Sequence, residues 1–435
     1  MNRRTFVAGI SRGCLALPVL AGVGMLGGNG CAGRPGANLR VIGIVDDAEG
    51  SLGRTEGPVA VDVRLEDRLC RAGDEGRLVA FEQPATGGGC GPALPVQLMG
   101  FPGVGVARVA WRIPPGAAGE RRFLLGEVGR APAARMSIRI DAASGQHQIM
   151  EAGKSVLRYN HSTVEPGKVL DAVSADNKKY AVARSDYIHP LWGPNGEELT
   201  RDWSPDHPHH RGIYWAWPEV DWRGKRGDLH ALQMVFSRPW GRCRTLGGPL
   251  FAEIDAENTW VWESGEEIVY ERAIIRAWNQ TVHGRLLDLE FHFSAIGERV
   301  LLARRGTDKY GGLSLRFAGV QGQQIYKHDP KADGNPGQSW ADLSGTFPGA
   351  TSGAGVTILQ KSSNPYHPGD WIEYPELNWL QPTFPAAETR YALEPGRPLL
   401  LRYRLWIHAG WTPSERDGGD HWRSANSLFC PAARA

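Results

Sequence analysis

Cysteine is scarce and charge is balanced, and each shortage excludes a chemistry. Six cysteines occur in 435 residues and no two stand as Cys-x-x-Cys, so neither a thiolate zinc site nor a dithiol redox centre is expected. Basic residues number 49 against 47 acidic ones, a formal charge of +2. No polyanionic partner is indicated, and nucleic acid is disfavoured. Past residue 33 no apolar run reaches membrane length, so no transmembrane domain is expected beyond the amino-terminal segment. There is no Gly-x-Ser-x-Gly elbow, P-loop or dinucleotide fingerprint, which removes the serine-hydrolase turn and the nucleotide-dependent classes. No amphipathic helix longer than two turns is evident.

What is present is β-patterned. Gly 56 and Pro 30 fit many turns between short strands. Val59-Ala-Val-Asp-Val-Arg-Leu alternates apolar and polar residues, as do the stretches from Glu267 and Arg285. The expectation is an all-β fold: a large antiparallel β-sandwich preceded by a smaller β-sandwich module. Segment 1–33 reads as an export signal of the twin-arginine type, with Arg3-Arg4 ahead of an apolar run from Cys14 to Leu26. Lipidation of Cys31 is a weaker option. Residues 34–135 are then an accessory module, 136–412 the main domain and 413–435 a tail. In an exported protein Cys70, Cys90, Cys243 and Cys430 allow three pairings, of which Cys70 with Cys90 is the local one.

The chemistry concentrates between Thr200 and Trp222. Asp206-His-Pro-His-His-Arg-Gly carries three of the 13 histidines, and Tyr214, Trp215 and Trp217 follow at once. Three roles are open. One of His207, His209 and His210, held by a carboxylate such as Asp206, would transfer protons near neutral pH; His209 or His210 is the first choice. Alternatively His207 and His209 would bind a divalent metal, or the histidines would only satisfy a Pro-containing loop. Arg211 offers a planar fork to an anionic or polyhydroxyl substrate. Its replacement is expected to abolish turnover and spare stability. Trp215 and Trp217 share one strand face, which suits either a sugar platform or a core. Arg184, His189, Asn364, His367 and Trp371 are further candidate lining residues, the last three in a loop.

These residues carry a resemblance. Asp206-His-Pro-His-His-Arg-Gly, with Asp308-Lys-Tyr-Gly-Gly-Leu-Ser-Leu-Arg, Trp340-Ala-Asp-Leu-Ser-Gly and Asn364-Pro-Tyr-His-Pro, resembles the PmoA-like family, also named methane oxygenase PmoA. The resemblance implies an exported protein of glycan-degrading bacteria and hence a carbohydrate substrate. The leading expectation is a glycoside hydrolase or lyase with a His/Arg-centred site lined by tryptophan, needing no cofactor. A non-catalytic carbohydrate-binding protein and a metal-dependent enzyme, an oxygenase by the family label, are the rivals.

Overall fold

The computed structural model describes residues 40–427 apart from 66, 85–89, 104–105 and 330–336. The expected export signal and Cys430 lie outside the described residues. Strands make up 51% of the described residues and helices 11%, which sets the class as all-β. Two eight-stranded antiparallel sheets face one another. One is built on a meander of Val235–Leu246, Phe251–Trp262, Glu267–Trp278 and Arg285–Ala295, continued by Leu399–Ala409, Ala354–Gln360, Trp340–Thr346 and Gln321–Lys327. The period of two sends Leu287, Leu289, Phe291 and Phe293 inward, fully or nearly buried. The intervening Asp288 and Glu290 point outward and pair with Arg404 and Arg402 across the strand gap.

The second sheet runs Trp371–Tyr374, Trp379–Pro382, Gly312–Arg316, Ile213–Ala216, Tyr187–Leu191, Lys154–Asn160, His147–Glu151 and Met136–Ile140. Its inward residues, Ile149, Leu157, Ile188, Ile213, Trp215, Leu313 and Leu315, join the other sheet's in one core. Each such side chain contributes about 1.5–3 kcal/mol on leaving water. The loop after Leu191 carries His207, His209 and His210, and the turn after the short strand Lys225–Gly227 carries His230.

Residues before Met136 form two small sheets, of four and three strands, around Leu78, Val109, Trp111 and Phe123, with helices α1 (Ser51–Thr55) and α2 (Asp67–Asp74). The segment read as a tail is instead largely a helix, α3 (Glu415–Ser427). It buries Trp422 and Ala425 with Trp340, Trp406, Phe251 and Ala110, so it ties the small sheets to the sandwich. Gly418 is required there, since a Cβ would stand 2.4 Å from the Trp340 ring. Cys70 and Cys243 are free thiols and Cys90 is disulfide-bonded, so the local Cys70–Cys90 pairing is not made. Among the described residues no helix is long and apolar enough to cross a membrane.

Asp420 of α3 accepts hydrogen bonds from Arg54 at 2.5 and 2.6 Å, from Arg423 at 2.8 Å and from Ser51 at 3.0 Å. Burial alone would raise its carboxyl, but these partners outweigh it and hold the group down at about 2. A depressed carboxylate stabilises the fold above its unfolded value near 3.9 and loses that contribution as pH falls toward 2. Asp420→Asn is therefore expected to cost about 1–2 kcal/mol at pH 7 and close to nothing at pH 2, by denaturant unfolding. A cost independent of pH would contradict this.

Candidate functional site

The loop from Thr200 to Gly212 is closed at its base. Gly212 N–H donates to Arg201 O at 2.8 Å, and Asp202 bridges Arg211. Gly212 has φ +68° and a Cβ there would lie 2.3 Å from Ile188 O, so only glycine fits. Inside the loop, His207 N–H donates to Ser204 O at 3.1 Å and His210 N–H to His207 O at 3.0 Å. These turns throw His209 and His210 inward and leave His207 at the edge.

A third histidine meets them. His230 sits in the turn after the short strand Lys225–Gly227, pinned by Leu229 and His230 N–H bonds to Trp217 O at 2.9 and 3.3 Å. Asp228 closes that turn through Ala231 N–H at 2.8 Å and holds Arg305 at 2.5 Å. Ring centroids are 4.7 Å apart for His209 and His210, 4.6 Å for His209 and His230, and 5.1 Å for His210 and His230. One nitrogen from each ring lies within 4.8 Å of the other two. His210 and His230 are 2% and 3% exposed, whereas His209 is half-buried and faces the opening. Nδ1 of His209 and of His210 is buried without a hydrogen-bond partner. Tyr214 stacks on His230 and its hydroxyl lies 3.1 Å from His230 Nδ1.

The surroundings keep these rings neutral. Burial, then neighbouring histidines and the Arg184 guanidinium, lower His209 to about 3 and push His210 and His230 well below the usual range. Arg184 is itself buried over the Tyr214 ring, and its guanidinium donates to backbone carbonyls of Leu229, His230, Trp215 and His209. Burial lowers it to about 10, which still leaves it charged at neutral pH.

At the opening, His207 Nδ1 lies 3.0 Å from Asp206 Oδ2. The His207 side chain is 38% exposed. Asp206 also accepts from Ser204 and from Arg316, the latter at 3.4 Å. Partial burial would raise the Asp206 carboxyl, but the Ser204 and His207 hydrogen bonds and the Arg316 charge carry it well below the usual carboxylate range. Half-buried Tyr180, Tyr310 and Tyr374 complete the rim: Tyr180 is 5.3 Å from His209, Tyr310 is 5.3 Å from His230, and Tyr374 is 6.3 Å from Tyr310. Trp379 forms the floor, stacked on His230 and on Tyr374.

With this geometry in view, a family model of unknown function, DUF6807, matches residues 146–423, which span the sandwich, all four clustered or rim histidines and most of α3. The chain belongs to the DUF6807 family. The resemblance to the PmoA-like family is corrected by that match: no PmoA-like or methane oxygenase family is found. No curated protein matches the chain.

Several sequence candidates have other work. Arg211 is 1% exposed, ion-paired to Asp202, bonded to the Tyr187 hydroxyl and packed 3.5 Å from the Trp203 ring centroid. Nε and Nη2 are engaged and Nη1, though without a partner, is buried, so no fork is open to a substrate. Trp215 and Trp217 do share a face, but they stack on each other at 4.5 Å against Phe291 and Phe293 in the core. His189 is half-buried with Nδ1 3.0 Å from the Thr200 hydroxyl, and desolvation lowers it to about 4. Asn364 clips the Arg402 backbone through both amide atoms, His367 stacks on Trp422, and Trp371 donates to Gln338 O. None of these seven joins the cluster. His209, His210, Tyr214 and Arg184 do, with His207 and Asp206 beside them. The donor atoms that converge are those of His209, His210 and His230, and His207 is not in that group. His230 carried no signal in the chain beyond being a histidine between Leu229 and Ala231.

Behind Arg184, Asp186 and Glu271 are buried together. Asp186 accepts from Tyr159 at 2.7 Å and Asn258 at 3.0 Å, and Glu271 from the Trp260 indole at 2.7 Å. Burial and then the Asp186 charge push the Glu271 carboxyl well above the usual carboxylate range, so the folded chain holds this proton more tightly than the unfolded one. The unfolded chain loses that proton near pH 4.3, so this group lowers stability as pH rises above that value. Glu271→Gln is expected to remove that slope and gain on the wild type between pH 5 and pH 8 in denaturant titrations. Parallel pH profiles would refute the assignment.

Proposed function

We propose that this protein is an exported enzyme acting on a carbohydrate by hydrolysis or elimination, with His207 and Asp206 as its proton-transfer pair. The observation that carries the reading is the His207–Asp206 contact at the open edge of a buried imidazole cluster. A carboxylate held ionised orients the ring, the arrangement general acid–base catalysis requires. Tyr180, Tyr310 and Tyr374 support a polyhydroxyl substrate, since each offers an apolar face and a hydroxyl. Two clefts lie elsewhere on the surface, one lined by Asp221, Arg223, Lys225 and Arg226 and another by Arg112, Pro132 and Leu250. Arg3-Arg4 and the apolar run behind them support export.

The test is a product screen of the full chain on glycans, uronic-acid polymers and keto-glycosides, read by mass spectrometry. Product carrying the mass of one added water indicates hydrolysis, and unsaturated product indicates elimination. Binding of a sugar by the rim tyrosines with no turnover anywhere would replace the enzyme with a carbohydrate-binding protein.

A further inference from the structure

We propose that His209, His210 and His230 together bind one divalent transition-metal ion of the zinc class. The inference deepens the proposed reaction centre and rests on it only for its catalytic consequence. Three observations support it. First, with metal–nitrogen bonds of about 2.1 Å and tetrahedral angles, three imidazole centroids around one ion stand about 5 Å apart; here they are 4.7, 4.6 and 5.1 Å apart. Second, Nδ1 of His209 and Nδ1 of His210 are buried with no partner, and buried polar atoms left unpaired call for an explanation. Third, His230 Nδ1 is engaged by the Tyr214 hydroxyl at 3.1 Å, which leaves Nε2 for an ion, the outer hydrogen bond that ligating histidines usually make.

The nearby cations do not oppose an ion outright. Arg305 is paired with Asp228, Arg316 with Asp206, and Arg184 is dressed by carbonyl oxygens. An all-imidazole donor set selects zinc, cobalt, nickel or copper over magnesium and calcium, which prefer oxygen. Three protein ligands also leave a coordination position, here on the half-exposed side of His209 near His207, as in catalytic rather than structural zinc sites. A second group, His147, His161 and Cys243, brings its donor atoms equally close. Its thiol is pushed up to about 12 by burial and so keeps its hydrogen, and His161 Nε2 is already 3.2 Å from Glu257 O. It is the weaker site and serves as the control.

The full chain, stripped with chelator, is titrated with zinc and with cobalt(II), reading stoichiometry by elemental analysis and coordination by the cobalt visible spectrum. One ion per chain and a tetrahedral-type cobalt spectrum are expected, with no competition from magnesium or calcium. His209→Ala, at the opening and expected to fold, and His230→Gln should each weaken binding by at least about 100-fold, and Tyr214→Phe by about 10-fold to 100-fold. Cys243→Ser should change nothing. No stoichiometric binding, unchanged affinity in His209→Ala, or loss only in Cys243→Ser overturns the site. Turnover that survives metal removal but is lost in His207→Ala overturns the ion's catalytic part and leaves the proposed function standing. Zinc bound as described, with no product from any glycan, does the reverse.

Discussion

His207→Ala is expected to lower turnover by about 10²-fold to 10⁴-fold, the range a positioned acid–base group supplies. Its melting temperature should stay within about 2 °C of wild type, because the side chain is partly exposed and ends a surface hydrogen bond to Asp206. The Asp206 carboxylate holds the ring through a 3.0 Å contact, so Asp206→Asn should lose part of the rate by misorienting it. His207→Gln keeps a polar side chain without a titrating ring and should be as slow as alanine. Full activity in both His207 variants would remove this residue from the mechanism and return the proton-transfer role to the inner histidines.

Arg211→Ala is expected to destabilise the chain by about 3–5 kcal/mol, the cost of leaving one member of a buried ion pair behind. Asp202 is only 12% exposed in its side chain and would lose its partner, while Tyr187 and Trp203 would face the void. The loop whose base is the Asp202–Arg211 bridge holds all three histidines of the motif, so activity should fall with stability. The double variant Asp202→Asn, Arg211→Met should recover part of the loss, because no charge is then stranded. Urea unfolding at constant m value separates these outcomes. An Arg211→Ala protein that melts like wild type yet cannot turn over would restore the substrate-anchoring role that its position in the motif first indicates.

The large sandwich was legible because its strands are long and alternate cleanly; Glu267–Trp278 and Arg285–Ala295 bury every second residue almost without exception. Helix α3 was not, for a physical reason. Its buried face is Gly418, Gly419, Asp420, His421, Trp422, Ser424 and Ala425, so polar groups satisfied by tertiary partners replace the apolar stripe that periodicity detects. At the site, the motif pointed to the right loop but could not divide its labour. Trp215 and Trp217 share a face, yet the chain does not say whether that face meets solvent or the opposing sheet. Arg211 looks like a free fork until Asp202 is seen across the loop base. His230 converges on His209 and His210 only through the turn folded back onto Trp217, a contact that spacing along the chain cannot encode.

The most direct test of the central claim is the product screen with the wild type and His207→Ala side by side, both shown folded by their melting curves. Product from a glycan or keto-glycoside in the wild type, reduced by at least about 10²-fold in the variant, is the predicted result. Equal product from both folded proteins would contradict the assignment of His207 and Asp206, and no product from either would contradict the proposed carbohydrate enzyme.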